Sequence, residues 1–385
     1  MVDRFGILRT AQGGWARFGK GRIVLHLLLP AAASFSLTLL AIFALRPLAI
    51  AVDLVDRPGG RKTHFGDVPI VGGLAMLLGI VLGGGLLPPQ AAPATAFLAA
   101  CSVLVTVGLV DDRFEISPWA RLPVQVIAAL ILMVGAGAAV TTLGDPLGTG
   151  PIEFSTFGSV IFTVAIVMAA INAFNMLDGL DGLAGAIALI GFVALAVVSG
   201  ADGGAGQSLV VAGSVAAFLV FNMPSQFNRR VRCFMGDSGS TLLGFCVAWL
   251  CLQVSQGAGR EVAPVTTLWV VALPVYEVVW STVRRLLRGT SPFLPDSKHF
   301  HHQLLAAGFG VRGTFAILTT LALLLAAFGV VAHYAGLSDT VSFVLLAACG
   351  VAVVSLMYRA ELLWKLVPDA LKPVFARPVE PHHPV

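Results

Sequence analysis

The stretch 157–182, FGSVIFTVAIVMAAINAFNMLDGLDG, decides the fold class. Residues 157–174 carry no charge and form an apolar run close to the roughly 20 residues a helix needs to cross a hydrocarbon core. The run ends in four oxygen-bearing side chains, Asn172, Asn175, Asp178 and Asp181, spaced three apart. Steps of three keep them near one another on a helical face, while Gly179 and Gly182 predict that the helix opens into a loop near Asp178. A polar seam between helices is the bland reading of such a row. A site for a hard cation or a polar substrate is the sharper one, because an aliphatic span has no packing reason to end in four side-chain oxygens.

Runs of similar length recur on both sides. Of the 385 residues 57% are hydrophobic and 11% charged, with a net charge of +4, against about 25% charged in soluble domains. This composition excludes a soluble fold and gives no basic surface suited to nucleic acid. About eleven spans are predicted, near 23–50, 69–88, 93–110, 122–142, 157–174, 183–200, 207–223, 239–256, 264–283, 313–334 and 339–357. The fold expected is all-α, a polytopic integral membrane protein. Its parts are a basic N-terminal extension (1–22), a single transmembrane domain (23–357) and a Pro-rich disordered tail (358–385). Span 1 is expected to kink or end early at Arg46-Pro47. The run from Ile23 is too long for a cleavable signal and no small-residue cleavage site follows it.

Loop cations set the orientation. With the loop after span 1 placed in the cytoplasm, so are Arg57, Arg61, Lys62, Arg113, Arg121, Arg229, Arg230, Arg284, Arg285, Arg288 and Lys298, whereas the opposite loops after span 1 hold only Arg260. Arg4, Arg9, Arg17, Lys20 and Arg22 run against this arrangement and are outweighed by the rest. Every polar cluster then falls on the cytoplasmic side. Scarce charges converging at one membrane face point to a functional site.

Asp111 and Asp112 close span 3, where two anions oppose the helix dipole unless Mg²⁺ or Arg113 offsets them. Met235-Gly-Asp237-Ser-Gly opens span 8. Its backbone N–H groups suit an anion, and capping by Asp237 or Ser238 explains the motif nearly as well. His299, His301 and His302 follow Arg284, Arg285 and Arg288, which suits binding of a diphosphate. A zinc site is the alternative, disfavoured by oxygen-only neighbours that match Mg²⁺ or Mn²⁺. The five cysteines are scattered, without ligand spacing, and read as small buried hydrophobes.

Five stretches in order carry a resemblance: DRPGGRKTHFGDVPIVGG (56–73), GLVDDRFEIS (108–117), AAINAFNMLDGLDGLAG (169–185), CFMGDSGSTLLGF (233–245) and RRLLRGTSPFLPDSKHFHHQLLAAGF (284–309). Together they resemble the polyprenyl-phosphate N-acetylhexosamine-1-phosphate transferase superfamily, and its GlcNAc-1-phosphate branch more than its MurNAc-pentapeptide branch. The resemblance implies about ten or eleven transmembrane helices with a cytoplasmic active site in a bacterial inner membrane. The implied substrates are a UDP-N-acetylhexosamine and undecaprenyl phosphate, with UMP released.

It also implies Mg²⁺, with Mn²⁺ as a substitute, held by Asn175 and Asp237, and Asp111 and Asp112 beside the lipid phosphate. Asp181 would contact the uracil and Lys62 the nucleotide, and 299–302 the diphosphate or sugar. Asp178 and His299 join the two aspartates as catalytic candidates; Asn172, Arg285, His301 and His302 join the substrate-binding ones. Glu277 in Pro-Val-Tyr-Glu stands where the family pattern calls for Asp. A homodimer is compatible with the class, another UDP-N-acetylhexosamine with the chemistry. A carboxylate-lined secondary transporter is the rival from another class.

Overall fold

The computed structural model describes residues 7–9, 15–17, 20–57, 66–88, 94–200, 204–223, 233–257, 260, 262–291, 298–368 and 372–375. Lys62 and its cationic loop lie outside the described residues.

Eleven helices follow the predicted spans: α1 (Lys20–Ala51), α2 (Gly72–Gly84), α3 (Thr95–Phe114), α4 (Pro118–Ala136), α5 (Thr156–Leu177), α6 (Leu183–Val198), α7 (Ala205–Asn222), α8 (Gly236–Ser255), the bent pair α9 (Pro264–Val270) and α10 (Ala272–Leu287) counted as one, α12 (Val311–Tyr334) and α13 (Asp339–Tyr358). A short α11 (Phe300–Ala306) precedes α12. Eight are long and apolar enough to cross a bilayer, and the bent pair makes up to nine; α2 and α6 are shorter apolar helices. The chain is an all-α, multi-pass membrane protein.

Three expectations are corrected. Helix α1 does not end at Arg46-Pro47 but continues to Ala51, packed along α7 and α2. A proline removes one backbone donor, and with this packing the helix continues past it. Span 9 is not one helix: α9 and α10 meet at 89°. Pro274 cannot donate to the Val270 carbonyl and its ring crowds that group, so the chain breaks at Val271. The expected tail begins with two more helices, α14 (Ala360–Leu366) and α15 (Lys372–Phe375), which dock under the turn into α12. Trp364 meets Phe309 edge-on at 4.9 Å, and Gly310 N–H donates to the Phe375 carbonyl at 2.6 Å.

Helix α8 is the axis of the bundle. Of its apolar window 83% is buried, against α3, α5, α2 and α6. Its N-terminal turn is wedged between α2 and α3 at two glycines. A Cβ on Gly108 would lie 2.4 Å from Ser238 Cα, and one on Gly73 2.5 Å from the Gly239 nitrogen. A short ribbon pairs Val55–Asp56 with Val68–Pro69, and Phe234 N–H then donates to the Pro69 carbonyl at 3.0 Å. The entries to α2 and α8 are thereby sewn together. At the other end of α8, the Gln256 side chain accepts from Thr141 N–H at 2.9 Å and Thr142 N–H at 3.2 Å, tying down the α4–α5 connection. The end holding Gly236 is left to the polar clusters.

Candidate active site

Helix α5 runs to Leu177, and Asp178 caps it with N–H donated to the Phe174 carbonyl at 3.1 Å. The predicted opening near Asp178 is therefore present, and Gly182, at φ +76°, starts α6. Helix α8 begins opposite, so that Asn175 donates its amide to Asp237 Oδ1, and to Ser240 Oγ at 3.3 Å.

Arg121, on the first turns of α4, joins two of the carboxylates. Its Nε lies 2.6 Å from Asp111 Oδ2 and its Nη1 3.0 Å from Asp237 Oδ1. Asp111 is buried, its side chain 2% exposed, whereas Arg121 is 31% exposed. One guanidinium therefore reaches from the accessible side of the site to a closed-off carboxylate. By sequence alone Arg121 is only a loop cation. Nothing within α4 marks it, because both partners come from other helices.

Asp112 faces another way. Its carboxylate accepts from Asp237 N–H at 2.6 Å, Ser238 N–H at 3.2 Å and Ser238 Oγ at 2.8 Å. It caps α8 from a neighbouring helix, satisfying donors that the first turn leaves open. Gly236 is required beneath it. Its φ is +68°, and a Cβ there would lie 2.4 Å from Asp112 Oδ2. Two expectations change accordingly. The N–H groups of the Gly-Asp-Ser-Gly turn hold an internal carboxylate rather than a substrate anion, and Arg113, the expected partner of the pair, turns to Asp53 at 3.3 Å.

A cavity of about 880 Å³ opens beside this cluster. Pro118, Leu122, Val160, Ile161, Val164 and Met168 of α4 and α5 give it an apolar wall. Its polar pole holds Asn172, Asn175, Asp178, Arg285 and the three histidines. Asn172 reaches it with its amide already donating to Gln125 Oε1 at 3.1 Å and the Met168 carbonyl at 2.7 Å. Asp181, predicted to bind the nucleotide, is partly buried and is not among the residues described as lining it. Asp178 is exposed to the cavity, among the other carboxylates and within the fold. Desolvation there, and then the charges of Asp237, Asp112 and Asp181, hold its carboxyl above the ordinary range. A cation or a cationic substrate group there would be welcomed.

The histidines cluster with ring centroids 4.0 to 5.9 Å apart. His301 packs on Gly179, where a Cβ would lie 2.3 Å from its Nε2. Its pKa is pushed down to about 3, first by burial and then by His302 and His299. The unfolded chain binds this proton near pH 6.5 and the folded chain does not until about pH 3. Stability from neutral His301 is therefore complete above pH 6.5 and lost as the pH falls below it. We expect the melting temperature in detergent to drop between pH 7 and 5, and His301→Gln to flatten that drop. An unchanged slope would mean that other groups set it.

Among the described residues no three His, Cys, Asp or Glu side chains form a ready-made metal group. The donors that do converge, Asp237 and Asn175 with Asp178 near, are oxygen ligands too few for a closed cage. That set fits Mg²⁺, which binds one or two carboxylates and completes its shell with water and substrate phosphate. It does not fit zinc.

Scarce carboxylates, an arginine and histidines at one end of an apolar cavity define an integral-membrane enzyme for an amphiphilic, anionic substrate. Comparison with known proteins narrows the class. Residues 94–255 match the sequence profile of glycosyl transferase family 4, and the chain belongs to that family. Relatives named undecaprenyl-phosphate alpha-N-acetylglucosaminyl 1-phosphate transferase include those of Escherichia coli strain K12, 37% identical over 302 residues, and Salmonella typhi, 38% identical over the same length. Each alignment spans 78% of this chain and 82% of the relative. That of Haemophilus influenzae is 34% identical over 308 residues, spanning 79% of this chain and 86% of its own.

Proposed function

We infer that this chain transfers GlcNAc-1-phosphate from UDP-GlcNAc to undecaprenyl phosphate, releasing UMP. The observation that carries the reading is the cavity, which joins an apolar wall on α4 and α5 to a polar pole that holds Asn172, Asn175 and Asp178, inside the family match, with Arg285 and the histidines. An isoprenoid phosphate has this same division. Its tail would lie along Leu122, Val160, Ile161 and Val164, and its headgroup would meet Asn175 and Arg121. The ionisable groups sit at helix ends on one side, unlike the mid-membrane placement usual in transporters.

In the reaction an oxygen of the lipid phosphate attacks the β-phosphorus of the UDP-sugar. The bond from that phosphorus to the bridging oxygen breaks, and UMP leaves with the electron pair. Two anions must approach, so positioning and charge neutralisation are the main tasks. Mg²⁺, held by Asp237 and Asn175, would supply positive charge to the diphosphate. Arg121 holds Asp111 and Asp237 at a fixed separation, and Arg285 and His299 line the pole where the diphosphate would lie. In this reading Asp111 acts on the lipid phosphate through Arg121, which lines the cavity, Asp178 stands beside the reacting phosphorus, and Asp112 acts through α8. A proton on the lipid phosphate is weakly held near neutral pH, so a general base has little to remove.

The direct test is UMP release by the purified chain given UDP-GlcNAc and undecaprenyl phosphate. No release with that pair, and release with another UDP-N-acetylhexosamine, would replace the sugar and keep the chemistry.

We further propose that the polar end faces the cytoplasm, where nucleotide sugars are made. The loop cations support this orientation. Gly66→Cys should resist a membrane-impermeant thiol reagent in intact cells, while Leu147→Cys, on the α4–α5 connection at the opposite end, should react above the parent chain. The reverse pattern would turn the protein over.

A further inference from the structure

Helix α10 carries a buried polar stripe of which the reaction above uses only Arg285. Glu277, Ser281, Arg284 and Arg285 follow one another at helical spacing, and Glu277 is 1% exposed. Arg285 reaches the cavity; Glu277 and Arg284 turn to the backbone that carries the histidines. One Glu277 oxygen, Oε2, accepts from Phe300 N–H at 3.0 Å. The other, Oε1, lies 3.0 Å from His299 Nδ1 and accepts from Ser281 Oγ at 3.4 Å. Arg284 Nη1 donates to the Lys298 carbonyl at 3.0 Å and to the Tyr358 hydroxyl. Three consecutive residues, 298 to 300, are thus clamped by side chains of one helix.

We propose that Glu277 is the positioning residue of His299: it fixes the imidazole with Nδ1–H donated to the carboxylate, leaving Nε2 to meet the phosphates in the cavity. The physical argument is one of inventory. A carboxylate only accepts, so Nδ1 must carry the hydrogen and Nε2 is left as the ring's other contact. A buried Glu with one oxygen on a backbone N–H is not free to rotate, so the imidazole plane is set with it. An Asp at position 277 would be one methylene shorter and could not span both contacts from the same backbone. In this chain the reach of Glu therefore sets how far His299 stands from α10.

This inference rests on the transferase reading, and the experiment separates the two. UMP release is measured for the full chain, for Glu277→Gln, for His299→Ala and for the double variant, with melting temperatures of all four. The expected result is a fall in kcat of on the order of tenfold or more for each single variant, with KM for UDP-GlcNAc changing less and melting nearly unchanged for Glu277→Gln. The double variant should be no slower than His299→Ala, because the two residues act as one unit. Glu277→Asp, which keeps the charge, should recover part of the lost rate. Losses that multiply in the double variant, or wild-type turnover in Glu277→Gln, would overturn the assignment. Should Glu277→Gln fail to fold, the same comparison with Glu277→Asp decides it, and multiplied losses overturn it there too. Absence of UMP release from the unaltered chain would instead sink the functional reading.

Discussion

Asp237→Ala should reduce turnover by on the order of a hundredfold or more while the protein still folds and inserts. Among the described residues Asp237 is the only carboxylate that meets both Arg121 and Asn175, and it opens α8 beside the cavity. Removing it deletes an oxygen ligand for the proposed Mg²⁺ and leaves Arg121 paired with Asp111 alone. Because the side chain is about 30% exposed, its loss leaves no large void. Its backbone N–H, which binds Asp112, also survives the substitution. The variant should therefore melt near the wild-type temperature and fail in chemistry. Excess chelator should produce the same loss in the unaltered chain, and Mg²⁺ or Mn²⁺ should restore it. Full turnover in chelator, or in Asp237→Ala, would remove the metal from the account.

The spans were legible because membrane crossing imposes length and hydropathy on each helix separately. What lay outside that signal was tertiary. Hydropathy is continuous through Val271, so the 89° break is invisible to it, and only Pro274 hints at the place. The site was legible where oxygens are contiguous, as in Asn175 and Asp178, or where a Gly-Asp-Ser-Gly turn interrupts an apolar run. Arg121 and Glu277 are harder to read: by sequence the one is a loop cation and the other a single residue in an apolar span. A partner on another helix gives neither of them a sequence signature, although a lone carboxylate within an apolar span was signal enough to ask what Glu277 meets. Adjacent residues on a helix point about 100° apart. The sequence therefore implied that Asp111 and Asp112 must do different things, without saying which does what.

That division yields the second large effect. Asp111→Asn and Asp112→Asn should each slow turnover by more than about tenfold, roughly 1.4 kcal/mol of transition-state stabilisation, but for different reasons that melting can separate. Asp111 is buried behind Arg121, and of the two only Arg121 lines the cavity. Asn fits the same space, and Arg121, still paired with Asp237 and partly hydrated, is not stranded. Stability should change little while the charge that holds Arg121 in place at the cavity is lost. Asp112 is bound by two backbone N–H groups and a hydroxyl at the start of α8. Asn accepts with one oxygen and turns an NH₂ toward the remaining donors. It also forfeits the favourable pairing of a negative charge with a helix N-terminus. Losses of this kind run to about 1–2 kcal/mol. Asp112→Asn should therefore melt earlier than Asp111→Asn and lose activity because Asp237 moves with the first turn of α8. Wild-type turnover in both variants would make the pair an ordinary helix end. Equal melting, with only Asp112→Asn inactive, would mean that Asp112 contacts substrate directly rather than through α8.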